Sequence, residues 1–191
     1  MNNTFKTYCF FSFFLVFILA GCGKVDVQSE YGPGADLSNL KTYSWIELKD
    51  KSSEKLRVKN PRIDKWVKAT ADKVLAQKGY MQVARKDSDF KIAWFGAVET
   101  KVKQESIDHF YSSYGYGPVA AEIGDTPKVE GRKVEYREGT ILMDIINPQN
   151  HKMIWRGSGA AKLIKGMDES EAALYVERLV TQILKELPKV K

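Results

Sequence analysis

The chain has 191 residues, a formal net charge of +6, two cysteines and two histidines. This length accommodates one domain or at most two small ones. A hydrophobic content of 43% and a charged content of 28% argue against wholesale disorder. Two cysteines exclude a disulfide-rich scaffold and a zinc site with four cysteine ligands.

The amino terminus has the pattern of a secretory signal peptide. Lys6 and the terminal amine supply the positive charge, and an apolar block of 11 residues runs from Phe10 to Ala20. This block is too short to cross the hydrocarbon core of a bilayer, which takes roughly 20 residues. A basic start, a short apolar block and small residues together predict a removable signal over residues 1–21.

The signal closes on Leu19, Ala20, Gly21 and Cys22, which resemble the lipobox of bacterial lipoproteins. In such proteins the cysteine thiol receives diacylglycerol, and cleavage leaves the cysteine as the first residue. The resemblance implies a membrane anchor of acyl chains, such as palmitate, on Cys22, because two or three chains hold a protein durably on a membrane. The alternatives are an uncleaved signal anchor, disfavoured by the short block, and ordinary secretory cleavage, disfavoured by the position of the cysteine.

The residue after the cysteine bears on which membrane is occupied. Gly23 stands there, and not the aspartate that retains lipoproteins on the inner membrane of enteric bacteria. The resemblance therefore favours the outer membrane, with the domain facing the periplasm, over the inner membrane.

Loss of the signal alters the chemistry of the mature chain. Cys9 leaves with the signal and Cys22 carries lipid, so no free thiol remains and cysteine catalysis is excluded. The net charge falls from +6 to +5, because Lys6 is the only charged side chain removed.

The chain is predicted to divide into three parts. Residues 1–21 are the signal peptide, residues 22–34 are a lipidated tether, and residues 35–191 are a single domain. Val25 and Val27 alternate within the tether as they would in an edge strand.

The folded part is predicted to be an α+β domain. Runs rich in β-branched and aromatic residues, with a period of two, indicate strands. They occur at 41–48, from Phe90 to Val102, and in a hairpin of 138–146 with 151–163.

Two amphipathic helices complete the predicted fold. The first begins at Asn60 and Pro61 and ends at Gly79, and the second begins with the capping-box pair Asp168 and Glu171. Two apolar stripes and four or more strands favour a two-layer sandwich of a mainly antiparallel sheet with two helices. The stripe residues are Ile63, Trp66, Val67, Val74 and Leu75, then Val176, Leu179, Val180, Ile183, Leu184 and Leu187.

The hairpin carries the sharpest polar pair, Asp144 and Arg156. A turn closed by Asn147 opposite Asn150 would place the two charges on opposite faces of the sheet, whereas a one-residue slip would bring them to one face. A structural ion pair or two surface charges are favoured over a catalytic dyad. Gly157, in mid-strand, predicts a close approach to the backbone, as does Gly159.

The segment 104–137 has the weakest periodicity and contains the candidate binding loop. Tyr111, Tyr114 and Tyr116 offer large amphipathic side chains, a composition found in adaptable binding loops. The alternative is a disordered linker with solvated tyrosines.

Other chemistry lacks a pattern in the sequence. His109 and His151 do not have the spacing of metal ligands. No glycine-rich phosphate loop opens a helix and no serine lies in a nucleophile elbow, so no cofactor is indicated. Export and the lack of a basic-aromatic stacking motif argue against nucleic acid. The basic charge points instead to anionic lipid headgroups or a polyanionic envelope polymer.

Three stretches resemble the bacterial lipoprotein family called domain of unknown function 4136. They are residues 35–45, with aspartate, Lys-Thr and tryptophan; residues 139–145, with Gly-Thr and aspartate; and residues 155–157, Trp-Arg-Gly. The Lys-Gly-Tyr at 78–80 is similar too. The resemblance implies an envelope lipoprotein, usually of Gram-negative bacteria, with no established activity.

The expected function follows from the anchor. The sequence indicates a lipid-anchored cell-envelope protein whose domain is a non-catalytic binding or assembly module of unknown ligand, with an envelope protein or anionic polymer as partner. One alternative is a carrier of a small ligand or lipid, which requires an apolar cavity between sheet and helices. Another is an envelope hydrolase, which requires polar residues that converge only in the folded chain.

Overall fold

A computed structural model describes residues 25–46, 61–97, 102–103, 111, 135–136, 139–161 and 166–190. The predicted loop at 49–59 lies outside these residues. The strands are β1 Asp26–Tyr31, β2 Thr42–Trp45, β3 Met81–Gln82, β4 Phe90–Ala97, β5 Val102–Lys103, β6 Glu135–Tyr136, β7 Thr140–Ile146 and β8 Met153–Ala160. The helices are α1 Pro61–Gln77 and α2 Glu169–Lys185.

Six strands form one open, mixed sheet in the order β1-β8-β7-β4-β2-β3. The pairings β1–β8, β8–β7 and β7–β4 are antiparallel, whereas β4–β2 and β2–β3 are parallel. The predicted α+β arrangement of a sheet with two helices is confirmed. The strand predicted from Phe90 to Val102 is not continuous in the sheet, because Val102 belongs to β5, which pairs with β6 in a separate sheet.

The first strand of the sheet lies within the residues assigned to the tether. Residues 26–31, placed in the tether, form β1, which pairs with β8 along its whole length from Asp26 opposite Ala160 to Tyr31 opposite Trp155. The edge strand suggested by the alternation of Val25 and Val27 is thus part of the domain. Pairing with β8 satisfies backbone groups that a free tether would leave to water.

The two ends of the sheet differ in the chain segments that they contain. At the end named here the amino-terminal end, Asp26, Ala160, Thr140 and Ala97 lie in one row of paired residues. The opposite end, the hairpin end, contains the turn of residues 147–152 between β7 and β8.

Helix α1 begins and ends as the sequence predicts. Pro61 is its first residue, and Gly79, with a φ of 93°, follows its last turn in the left-handed conformation. The buried stripe consists of residues four apart, which share one face of a helix. Trp66 and Val74, predicted for the stripe, lie at its margin and are half-buried. The stripe itself is Ile63, Val67, Ala71 and Leu75.

Helix α2 opens with the predicted capping box. The Asp168 carboxylate accepts a hydrogen bond from the Glu171 backbone N–H at 2.9 Å, and the Glu171 carboxylate accepts one from the Asp168 N–H at 2.9 Å. Two of the four amides left without helical partners are thereby satisfied. The predicted apolar stripe of α2 packs in the core beside that of α1.

Aspartates on α1 tie the helix to the sheet. Asp72 accepts hydrogen bonds from the Tyr43 hydroxyl at 2.8 Å and from Trp45 Nε1 at 3.0 Å. Asp64 accepts one from Trp94 Nε1 at 2.9 Å. These bonds satisfy polar atoms of large aromatic side chains that are otherwise buried in the core. Burial and the hydrogen bond to Asp72 raise the pKa of Tyr43.

The Lys-Gly-Tyr at 78–80 forms hydrogen bonds with the carboxyl-terminal residues 185–190. Lys78 Nζ donates to the carbonyls of Lys185, at 3.2 Å, and of Leu187. The Tyr80 hydroxyl donates to the Pro188 carbonyl at 3.2 Å, and the Val190 N–H donates to the Lys78 carbonyl at 2.9 Å. Lys78 thus satisfies carbonyls at the carboxyl end of α2, where a cation is favoured.

The Trp-Arg-Gly at 155–157 is a packing unit. The Trp155 ring lies directly over Gly157 on the helix-facing side of β8, so a Cβ at position 157 would lie 2.2 Å from a ring carbon of Trp155 and 2.7 Å from Ile183 Cγ2. The predicted close approach at Gly157 is confirmed, as it is at Gly159, where a Cβ would lie 2.8 Å from Ile183 Cγ1.

We expect Gly157→Ala to lower the free energy of unfolding by about 1–3 kcal/mol, because the added methyl group forces Trp155 or Ile183 to move in a packed core. Urea unfolding followed by tryptophan fluorescence measures the change. Ser158→Ala, one residue away on the opposite face, is the matched control and should unfold close to the parent. Equal midpoints for Gly157→Ala and the parent would contradict this account.

Candidate functional site

The face of the sheet opposite the helices is buried and carries charge. Along β7, Met143 and Ile145 point into the core shared with the helices, so Asp144 between them points to the other side. That second face is lined by Ala93, Phe95, Leu142, Asp144, Ile146 and Arg156, all buried.

Asp144 and Arg156 form a bidentate ion pair on this face. Arg156 Nε donates to Asp144 Oδ1 at 2.6 Å, and Arg156 Nη2 donates to Oδ2 at 2.7 Å. The side chains are 0% and 5% exposed, respectively. Two parallel charge-assisted hydrogen bonds fix both position and orientation of the planar groups.

Tyr111 completes the cluster. Its hydroxyl donates to Asp144 Oδ2, and its ring packs edge-on against Phe95 with the ring centroids 5.7 Å apart. Tyr111 is 0% exposed. Burial, followed by the negative charge of Asp144, raises the pKa of Tyr111 well above its ordinary value. The hydroxyl therefore stays protonated and acts as a donor.

The arrangement on one face corrects the predicted register of the hairpin. The turn closes at Asn147 and Lys152, whose backbones are hydrogen-bonded, and not at Asn147 and Asn150. Beyond it, a bulge separates the pair Ile146–Met153 from the pair Ile145–Trp155. The longer turn adds two residues and the bulge adds a third. Because successive side chains alternate, this odd shift brings Asp144 and Arg156 to one face.

The cluster can fasten one part of the chain to another. Both oxygens of Asp144 accept hydrogen bonds, from Arg156 and Tyr111, and all three side chains are shielded from solvent. A buried pair of this kind adds little net stability but penalises arrangements that separate its members. It holds Tyr111, 33 positions before Asp144 in the chain, at one place on the sheet.

The candidate binding loop is only partly described. Tyr111 lies inside the molecule, which differs from the solvent-facing role expected of it. Tyr114, Tyr116 and His109 lie outside the described residues, as does Cys22. His151 lies in the turn at the hairpin end, with a φ of 56°.

The described residues contain neither a metal-binding cluster nor a membrane-spanning helix. No group of three or more His, Cys, Asp or Glu side chains is arranged to hold a metal ion in that part of the chain. Of the helices described, none combines the length and apolar character needed to cross a bilayer.

The motifs of the family resemblance have structural roles. Gly139 adopts a φ of 79°, and a Cβ there would lie 2.4 Å from the Ala161 carbonyl oxygen. The Tyr175 hydroxyl lies within hydrogen-bond distance of the Gly139 and Ala161 carbonyls, at 3.0 and 2.9 Å. Asp144 and Arg156 form the buried pair, and Trp155 lies over Gly157.

A comparison with known protein families and structures assigns the chain to one family. The chain belongs to the family described as domain of unknown function DUF4136, whose model matches residues 27–189. No curated protein sequence matches it. Among solved structures, a DUF4136 family protein from Bacteroides thetaiotaomicron is 15% identical, with 85% of this chain and 95% of that chain covered and a TM-score of 0.47.

Two other solved structures are similar to a comparable degree. The PelC dodecamer from Paraburkholderia phytofirmans is 15% identical over 88% of this chain and 100% of that chain, with a TM-score of 0.45. A PDZ domain protein from Parabacteroides distasonis is 14% identical over 88% of this chain, with a TM-score of 0.47. The present chain spans 37% of the length of that protein.

The ion pair predicts strongly non-additive mutations. Asp144→Leu should destabilise the domain by about 3–5 kcal/mol, because it leaves the Arg156 charge buried without a counter-charge. The double variant Asp144→Leu/Arg156→Met should be less destabilised, since no buried charge remains. A double-mutant cycle by urea unfolding, with Arg156→Met as the other single variant, measures the coupling. Additive free energies would argue against the pair as a unit.

The raised pKa of Tyr111 predicts a loss of stability at high pH. An unfolded tyrosine ionises near pH 10, whereas the folded hydroxyl ionises higher, so the contribution of Tyr111 is complete below about pH 10 and falls as the pH rises further. Tyr111→Phe should show a shallower loss of unfolding free energy above pH 10. Tyr31→Phe, at an exposed tyrosine of β1, is the control, and an unchanged slope in Tyr111→Phe would refute the assignment.

Proposed function

We propose that this chain is a lipid-anchored protein of the bacterial cell envelope whose domain is a non-catalytic binding or assembly module. The single observation that carries the proposal is the sequence Leu19-Ala20-Gly21-Cys22 directly after a short apolar block. Acyl chains on Cys22 anchor the protein. Gly23 supports placement in the outer membrane with the domain in the periplasm.

The buried cluster supports a non-catalytic role for the sharpest polar residues of the sequence. Asp144 has both oxygens engaged by Arg156 and Tyr111, and the group is shielded from solvent. A general acid or base must reach a proton on its substrate, and these side chains are buried beneath the surface. The motif residues around them likewise serve packing.

The hairpin end supports an anionic polymer or an acidic protein surface as the partner. Basic side chains outnumber acidic ones among its exposed, described residues. The exposed acidic residues there include Asp36, Asp87 and Glu186. A surplus of one sign of charge attracts a partner of the opposite sign. The basic residues are Lys41, Arg85, Lys86, Lys152, Lys185 and Lys189.

The anchor is tested by replacing each cysteine separately. Cys22→Ala should abolish incorporation of an alkyne-labelled palmitate and prevent recovery of the mature, lipidated form in the outer-membrane fraction of a density gradient. Cys9→Ala is the matched control within the signal and should be labelled and fractionate like the parent. Undiminished palmitate labelling of Cys22→Ala would refute the proposed anchor.

A further inference from the structure

We infer that the amino-terminal end of the domain faces the phospholipid surface, with the hairpin end directed away from it. The inference rests on the proposed lipid anchor at Cys22 and deepens it by assigning the face of the domain that meets the membrane.

The reach of the chain is short. Asp26, the first residue of β1, follows Cys22 by four residues. Four residues span at most about 14 Å even when fully extended. Acyl chains on Cys22 therefore hold the start of β1 close to the lipid headgroups, whatever path the intervening residues take.

The pairing of β1 in the sheet determines which strand ends lie beside its first residue. Asp26 pairs with Ala160 in β8, which pairs with Thr140 in β7, which pairs with Ala97 in β4. Neighbouring strands lie about 4.8 Å apart, so this row places the ends of four strands beside the anchored residue. The row belongs to one hydrogen-bonded sheet and moves as a unit.

Both helices begin at this same end. The Tyr175 hydroxyl, in the second turn of α2, lies within hydrogen-bond distance of the carbonyls of Gly139 and Ala161, which adjoin the row. Arg62, in the first turn of α1, pairs with Glu169, the first residue of α2. The surface nearest the membrane thus combines strand ends with the amino termini of α1 and α2.

The hairpin end lies much further from the anchor. Strand β8 has eight residues, and at about 3.4 Å per residue its length is about 27 Å. The turn at 147–152 lies beyond its start. When the strands stand roughly perpendicular to the membrane, the hairpin end lies more than one Debye length from the headgroups. Because that length is about 8 Å at physiological ionic strength, the charge of the headgroups is largely screened at the hairpin end.

Charge alone would favour the opposite orientation. The hairpin end is rich in lysine and arginine, whereas the amino-terminal end exposes Asp26, Asp168, Glu169 and Glu171 beside Arg62. An anionic membrane would attract the former and repel the latter. A covalent anchor four residues from β1 limits the distance of the amino-terminal end from the membrane at any lipid charge, so vesicles of different charge separate the two effects.

Fluorescence quenching of the lipidated protein in vesicles tests the orientation. The mature chain offers no free thiol, so Ser170→Cys at the start of α2 and Gln149→Cys in the hairpin turn each give a single labelling position. Both positions are exposed and neither change alters the charge. Each variant carries a bimane probe in vesicles that contain a phospholipid with a spin label on its headgroup, made either of phosphatidylcholine alone or with added phosphatidylglycerol.

We expect loss of bimane fluorescence at Ser170→Cys and little loss at Gln149→Cys, in both kinds of vesicle. Equal or stronger quenching at Gln149→Cys, in either kind, would overturn the orientation while leaving the anchor in place. Failure of the mature protein to float with vesicles would overturn the anchor and the orientation together. The same two labelled variants produced from residue 23 onward, without the signal and the acylated cysteine, supply the unquenched baseline.

Discussion

The register between β7 and β8 sets the composition of both faces of the sheet. It places Asp144 directly opposite Arg156 and, on the other face, Met143 opposite Gly157. A change of register by one residue would place Asp144 and Arg156 on opposite faces of the sheet, so that one of the two charges would enter the apolar core shared with the helices. If β8 is the strand that turns over, Trp155 and Gly157 also leave the side of the sheet on which Ile183 packs. One face of the sheet is apolar and the other holds the buried ion pair. A single register therefore buries both faces without leaving a charge unpaired.

On each face of the sheet, aspartate side chains accept hydrogen bonds from buried aromatic residues. On the helix side, Asp64 and Asp72 accept hydrogen bonds from Trp94, Tyr43 and Trp45 and so position α1. On the other side, Asp144 and Arg156 position Tyr111. In each case an acidic side chain receives the polar atom of a large aromatic residue, which lets the ring be buried without an unsatisfied donor.

The elements of this fold were predictable because their signals are local. Pro61, Gly79 and the Asp168–Glu171 capping box mark helix ends through groups within a few residues of one another. The face shared by Asp144 and Arg156 was not predictable in the same way. It depends on where the turn closes and on a bulge beside Ile145, and neither leaves an unambiguous local pattern. The contact of Tyr111 with Asp144 joins positions 33 residues apart and leaves no periodic signal at all.

Periodicity, capping and short contiguous motifs are enough to predict the helices, most of the strands, the α+β class and the family, and they are the basis of the proposed anchor at Cys22. The place of β1 in the sheet, the partner of Asp144 and the burial of Tyr111 arise only when the whole chain is folded. Each of these depends on which distant backbone supplies a hydrogen bond or covers a side chain. That choice is made by the free energy of the assembled sheet, which no single segment contains.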